Sequence, residues 1–135
     1  MMPAEAVADV LVQDGYRVSL ITDIRGDNIK NALVDTDRFV LKTSSYATGG
    51  IVGRIKALIS VARSTLQMRK LFKKDRPTVV VGFGGYPSLP AVLAARNLGI
   101  PFVLHEQNAV LGRVNRFLAE DARVLALSMP DTEKV

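Results

Sequence analysis

Residues 79–108, VVVGFGGYPSLPAVLAARNLGIPFVLHEQN, decide the fold. Two β-branched runs, TVVVGF at 78–83 and IPFVL at 100–104, flank an alanine-rich segment too long and too periodic to be a strand. The reading is therefore strand, glycine turn, helix, strand, polar loop. That is a βαβ unit. Its strands run parallel and end on one sheet edge, so the loops leaving them, residues 84–90 and 105–108, are expected to meet beside a cleft.

The residue types on that edge suit an anion. Gly84 and Gly85 allow positive φ and a close approach of ligand to backbone, Ser88 is placed to cap the next helix, and Pro90 suits its first turn. Amides at that helix start carry part of the macrodipole's positive end, so a phosphate or diphosphate is the expected ligand. A bare strand-to-helix turn with no ligand is the competing account. The second loop favours binding, because His105, Glu106, Gln107 and Asn108 are four consecutive polar side chains after an apolar strand. His105 is the only histidine, and it reads as a catalytic or a hydrogen-bonded structural imidazole. Glu106 reads either as a general base or as a side chain that orients the loop. Asn108 reads as a ligand contact or a loop cap, and Tyr86, between Gly85 and Pro87, is expected to be exposed.

The run GFGGYPSLPAVLAARNLGIPFVLHEQNAVLGRVNRFLA at 82–119 resembles the acceptor-domain signature of the MurG family of bacterial N-acetylglucosaminyltransferases, with GGY and HEQN as its most specific pieces. The resemblance implies an α/β fold, a Rossmann-like parallel sheet flanked by helices, forming the N-terminal half of a GT-B glycosyltransferase. It implies transfer of N-acetylglucosamine from UDP-GlcNAc to an undecaprenyl-diphosphate-linked muramyl-pentapeptide acceptor, at the cytoplasmic face of the bacterial inner membrane. It further implies acceptor-diphosphate binding by Gly84, Gly85, Tyr86 and Ser88 and donor contact by Asn108 and Gln107, while a catalytic role for Glu106 or His105 rests on their side-chain chemistry alone. No cofactor and no metal are implied. Two other readings stay open: a separate acceptor subunit of a split transferase, and a non-catalytic anion-binding α/β module.

Bulk properties bound these readings. At 135 residues the chain is one domain's length and could bury about two thirds of its unfolded surface. It contains no cysteine, which removes disulfide and thiolate chemistry and fits a reducing compartment. No apolar run reaches the ~20 residues of a membrane span, and the start lacks a signal-peptide pattern. A soluble, cytoplasmic protein is the expectation. Basicity is local: residues 51–76 hold eight Lys and Arg against the single acid Asp75, more positive charge than the formal +5 of the whole chain. Such a stripe argues for a local surface task and against nucleic acid.

In chain order, Val7, Val10 and Leu11 recur at helical spacing over 3–13, with Gly15 where a C-terminal cap belongs. Alternation suggests strands at 16–22 and 38–42, with a loop at 23–28, a short helical turn at 29–33 and a connector at 43–50. Residues 51–74 form the longest helix, its apolar face expected from Ile51, Ile55, Leu58, Ile59, Ala62, Leu66 and Phe72. That helix reads as a surface helix packed on the sheet, or as a membrane-facing element using Ile51, Arg54, Ile55, Lys56 and Arg63 on an anionic membrane surface. A further helix is expected at 109–119, with Val110, Val114, Phe117 and Leu118 on one face, and a last strand at 123–127. Asp35 and Asp37 form a DTD, better explained as solvated turn carboxylates than as a metal motif.

A doubly wound sheet ordinarily opens on its central strand, whereas this chain opens on a helix. The resemblance implies that the family's first strand and GGTGGH loop, with that loop's candidate catalytic histidine, would precede Met1, and that a nucleotide-sugar domain would follow residue 135. The expectation is a partial acceptor-binding domain over 1–135. With two strands lacking a neighbour, it should fold poorly alone or pair them differently.

Overall fold

The computed structural model describes residues 3–23, 37–41 and 50–132. The helical turn expected at 29–33, Asp35, and nearly all of the loops expected at 23–28 and 43–50 lie outside them. The chain divides into two compact units, residues 1–42 and 43–135.

In the first unit, α1 (Pro3–Gln13) spans the expected residues. It ends as glycine dictates: Gly15 sits at φ 83°, its amide donates to the Val12 carbonyl (3.0 Å), and the Tyr16 amide donates to that of Leu11 (2.9 Å). That pair of bonds closes the last turn on a left-handed residue. It also explains why the first strand begins late. Tyr16 serves the helix cap, so β1 is Ser19–Asp23, and it runs parallel to β2 (Asp37–Leu41) with Ser19 opposite Asp37. Asp37 opens β2 with its carboxylate 3.7 Å from the Arg17 guanidinium, both largely exposed, a pair that contributes little.

The second unit carries α2 (Gly50–Lys74), β3 (Val80–Gly82), α3 (Gly85–Asn97), β4 (Phe102–Glu106), α4 (Arg113–Leu118), one 3-10 turn (Ala119–Asp121) and β5 (Val124–Leu127). The strands form a parallel sheet in the order β3-β4-β5. The βαβ unit read from residues 79–108 is therefore present, with Gly82 opposite Leu104 and Glu106 opposite Leu127.

α3 is the centre of the packing. It touches α2, β3, β4 and α4 and buries Pro90, Ala91, Val92, Ala94 and Ala95. A helix covered on several sides needs apolar residues all round, so it shows no clean stripe in sequence. Its end repeats the device of α1: Gly99 at φ 63°, the Ile100 amide donating to the Ala95 carbonyl at 2.9 Å, and the Arg76 guanidinium donating to the Leu98 carbonyl at 3.0 Å, a cation where the dipole is negative. Near its middle, α3 crosses β3 so closely that a Cβ on Gly82 would lie 2.9 Å from Val92 Cγ2 and 3.2 Å from Leu104 Cδ2. Only glycine fits there.

The face expected to bury α2 is corrected. Ile51 (78%), Ile55, Leu58, Ile59 and Leu66 are exposed, and of the anticipated set Phe72 alone is buried. The covered residues are Ser64, Thr65, Met68 and Phe72, and α2 packs on α3. At about 100° per residue this face is rotated roughly a third of a turn from the apolar one. Small hydroxyl side chains let α2 approach the alanine-rich α3, so polarity misleads as a guide to burial. The result leaves Ile51, Val52, Ile55, Leu58 and Ile59 exposed together with Arg54, Lys56 and Arg63. Among the described residues, no helix is long and apolar enough to cross a membrane.

Candidate functional site

β3 and β4 are neighbours, so their carboxyl ends lie side by side. After β3 the chain turns through Gly84 (φ 72°, ψ −176°) and Gly85 (φ 71°), conformations that L side chains rarely adopt. α3 begins at Gly85, which corrects two expected roles. Ser88 does not cap the helix: it lies inside it, and its hydroxyl donates back to the Gly85 carbonyl at 2.9 Å. Pro90 lies deeper still, buried within the helix. Pro87 occupies the first turn, where a missing amide costs nothing. No side chain caps this helix start, so its opening backbone donors are left for water or a ligand. Tyr86 is half-exposed, at 50%.

The second exit also differs from the expected four-residue loop. β4 continues through His105 and Glu106, pairing them with Ala126 and Leu127 of β5. Strand alternation then sends Phe102, Leu104 and Glu106 to the buried side. Glu106 is 2% exposed, yet it is not an isolated charge. Oε1 accepts from the Asn108 amide (3.1 Å) and Asn108 Nδ2 (2.8 Å); Oε2 accepts from the Gly112 amide (2.9 Å) and Asn115 Nδ2 (2.9 Å). Burial alone would raise the pKa, but the donors from Gly112, Asn108 and Asn115 outweigh it and hold the carboxyl below its usual 4.5. Of the two roles left open in the sequence, this arrangement supports loop orientation: every nearby proton donor already uses the carboxylate.

This network also explains the late start of α4. Residues 109–112, expected to be helical, are drawn to Glu106 through the Gly112 amide, and the helix forms only from Arg113. Its buried side consists of Val114, Asn115 and Leu118, preceded by buried Leu111, whereas Val110 (56%) and Phe117 (64%) are exposed, correcting the expected face. Asn115, fully buried, escaped the sequence reading. A polar residue within the apolar spacing 111, 114, 115, 118 was the available signal.

His105 faces the other side of β4. Its ring centroid is 5.4 Å from that of Phe83, Nε2 lies 2.9 Å from Ser128 Oγ, and Nδ1 is buried with no hydrogen-bond partner among the described residues. Gln107 and Asn108 are exposed. The Asn108 carbonyl accepts from Thr132 Oγ1 at 3.1 Å, so residues beyond β5 fasten this loop from outside. Among the described residues, no three His, Cys, Asp or Glu side chains gather as a metal would require. The edge thus brings together Gly84, Gly85 and Tyr86 from one exit and His105, Glu106, Gln107 and Asn108 from the next. The residues of α2, including Ile51, Ile55, Arg54, Lys56 and Arg63, form a separate surface.

Parallel strands joined through α3, with a glycine turn and an anchored polar loop at their adjacent carboxyl ends, define an α/β protein with a Rossmann-like parallel sheet. Residues 1–126 match the glycosyltransferase family 28 N-terminal domain, and the chain belongs to that family, the one its GGY and HEQN motifs suggested. It is 44% identical over 133 residues to the UDP-N-acetylglucosamine--N-acetylmuramyl-(pentapeptide) pyrophosphoryl-undecaprenol N-acetylglucosamine transferase of Rhodospirillum centenum, covering 98% of this chain and 35% of that protein. The Caulobacter vibrioides enzyme of the same name is 46% identical over 134 residues, covering 99% and 37%. The crystal structure of Acinetobacter baumannii MurG matches with a TM-score of 0.83 at 32% identity, over 99% of this chain and 39% of that one. The chain thus spans about a third of the length of these relatives, and its fold is that of the N-terminal half of a GT-B glycosyltransferase.

Proposed function

We propose that this chain is the acceptor-binding part of an inverting transferase that moves N-acetylglucosamine from UDP-GlcNAc to a lipid-linked muramyl-pentapeptide diphosphate. The observation that carries the reading is the shared edge itself, where the Gly84–Gly85 turn opens α3 beside the loop anchored by Glu106, in a chain 46% identical to a transferase of that name. The acceptor diphosphate sits at the start of α3, held by backbone donors and partial positive charge, with Tyr86 beside it. Asn108 and Gln107 face the donor sugar nucleotide. The acceptor hydroxyl displaces UDP directly at the anomeric carbon. In this mechanism Glu106 shapes the loop, and the base that takes the hydroxyl proton comes from outside these two exits.

The test is a chimera in which this chain replaces the matching segment of the Caulobacter vibrioides relative. Transfer of labelled N-acetylglucosamine to the lipid acceptor is expected to persist, and Gly85→Val is expected to abolish it. A folded chimera without transfer overturns the reading.

The exposed apolar and basic residues of α2 support a second assignment within the same reading: peripheral attachment to the cytoplasmic face of an anionic membrane, where the acceptor's polyprenyl chain resides. Each Lys or Arg near such a surface contributes about 1 kcal/mol. Co-sedimentation with liposomes is expected to rise with anionic lipid, to fall with added salt, and to weaken in Ile55→Asp. Binding indifferent to lipid charge and salt rejects the electrostatic part of this assignment.

A further inference from the structure

We propose that Asn115 is a positioning residue that holds the glycine turn after β3 and the polar loop after β4 at a fixed separation, so that the two exits act as one ledge. The role rests on the ligand assignment made above, since it concerns the same edge. Three observations converge on it. Asn115 Nδ2 donates both to Glu106 Oε2 at 2.9 Å and to the His105 carbonyl at 3.1 Å, which ties α4 to the end of β4. The same nitrogen lies 3.3 Å from where a Cβ on Gly84 would stand, with Oδ1 and Cγ at 3.8 Å. The amide therefore lies directly against the turn, and a Cβ on Gly84 would press on it at a position whose positive φ already favours glycine.

The third observation is a cost. Asn115 is fully buried, and Oδ1 has no hydrogen-bond partner among the described residues. An apolar side chain of similar size would carry no such penalty, so packing alone does not account for an asparagine here. What an apolar side chain could not do is donate twice to the end of β4 while touching Gly84. Asn115 is one of the donors that hold Glu106 as a carboxylate, and the same amide packs against the Gly84 turn. Displacing Asn115 should therefore disturb both exits, although Glu106 and Gly84 belong to different strands' loops.

The test is NMR on the whole chain. Asn115→Asp puts a second carboxyl where a donor stood, 2.9 Å from Glu106 Oε2, and two carboxyls that close cannot both ionise readily. The pair is expected to titrate above the usual carboxylate range, with the Gly84 and Gly85 amide resonances moving through the same midpoint. The wild type, which lacks the second carboxyl, is the baseline from which that movement is measured. Tyr86 and Arg96 on α3 and Arg113 and Arg116 on α4 are exposed, whereas the His105 ring lies against Phe83, next to Gly84, so both scans are run with His105→Gln and the movement that Asn115→Asp adds is read as the pair's own. Gly84 and Gly85 resonances that ignore the titration overturn the proposal.

If Asn115→Asp does not fold at neutral pH, Gly84→Ala reads the coupling from the other side. Glu106 and Asn108 resonances are then expected to shift, and their indifference is equally fatal. Inorganic pyrophosphate separates this inference from the functional reading. Failure to bind the wild type at Gly84 and Gly85 counts against the ligand assignment. Binding to both forms with equal affinity overturns the positioning role, for which Asn115→Asp above its midpoint is expected to bind about tenfold more weakly.

Discussion

Glu106→Gln is expected to destabilise the protein nearly as much as Glu106→Ala, by about 2–3 kcal/mol in each case. The reason is that all four neighbours of the carboxylate are donors: two from Asn108, one from Gly112, one from Asn115. A glutamine keeps the shape but brings an NH2 group, which must face donors whichever way it is turned. Asn108 and Gly112 are exposed and recover water when Glu106 is truncated; Asn115 is fully buried and cannot, so one buried donor carries most of the loss. Thermal denaturation checks this, since each kcal/mol lowers Tm by several degrees in a domain of this size. A Glu106→Gln variant that melts with the wild type would reinstate the carboxylate as a candidate base.

The pH dependence follows from the same bonds. Because the folded carboxyl lies below its usual 4.5, its contribution is fully present above that value and is lost as pH falls through the lower folded one. The gap in Tm between wild type and Glu106→Gln should therefore close on acidification.

Leu104→Ala is expected to cost about 2–5 kcal/mol, the range for a large side chain removed from a closed core. Leu104 is fully buried at the middle of β4, opposite Gly82 on one side and Leu125 on the other. The cavity would open against α3, two residues before Glu106 on the same face of the strand. Its neighbour supplies an internal control. A Cβ on Gly82 would meet Leu104 Cδ2 at 3.2 Å, so Gly82→Ala should be less damaging when Leu104 is already alanine than when it is leucine. Strict additivity of the two losses, measured by denaturant unfolding, would show that Val92 alone sets the limit on Gly82.

Much of this architecture could be read from residue order, and the failures share a cause. The βαβ unit followed from β-branched runs and glycine, which are local signals, and both glycine helix ends at Gly15 and Gly99 are likewise local in origin. Period-two alternation would have put Glu106 with Phe102 and Leu104 on the covered side, had β4 been extended by two residues. Elsewhere the decisive contacts are distant. α4 begins late because a side chain six residues back takes the Gly112 amide. The buried face of α2 uses Ser64 and Thr65 because α3 offers alanines, a fact about the partner and not about α2. Asn115 was missed because its meaning lies in Gly84 and Glu106, residues that its own neighbourhood does not reveal.

Nineteen residues of chain separate Gly82 from Phe102, and thirteen of them form α3. Bringing the two exits abreast thus requires closing one short loop, whose entropic penalty is modest and grows slowly with length. The ledge is consequently a product of nearest-neighbour topology: it can assemble as soon as this single crossover condenses, well before more remote segments have found their places.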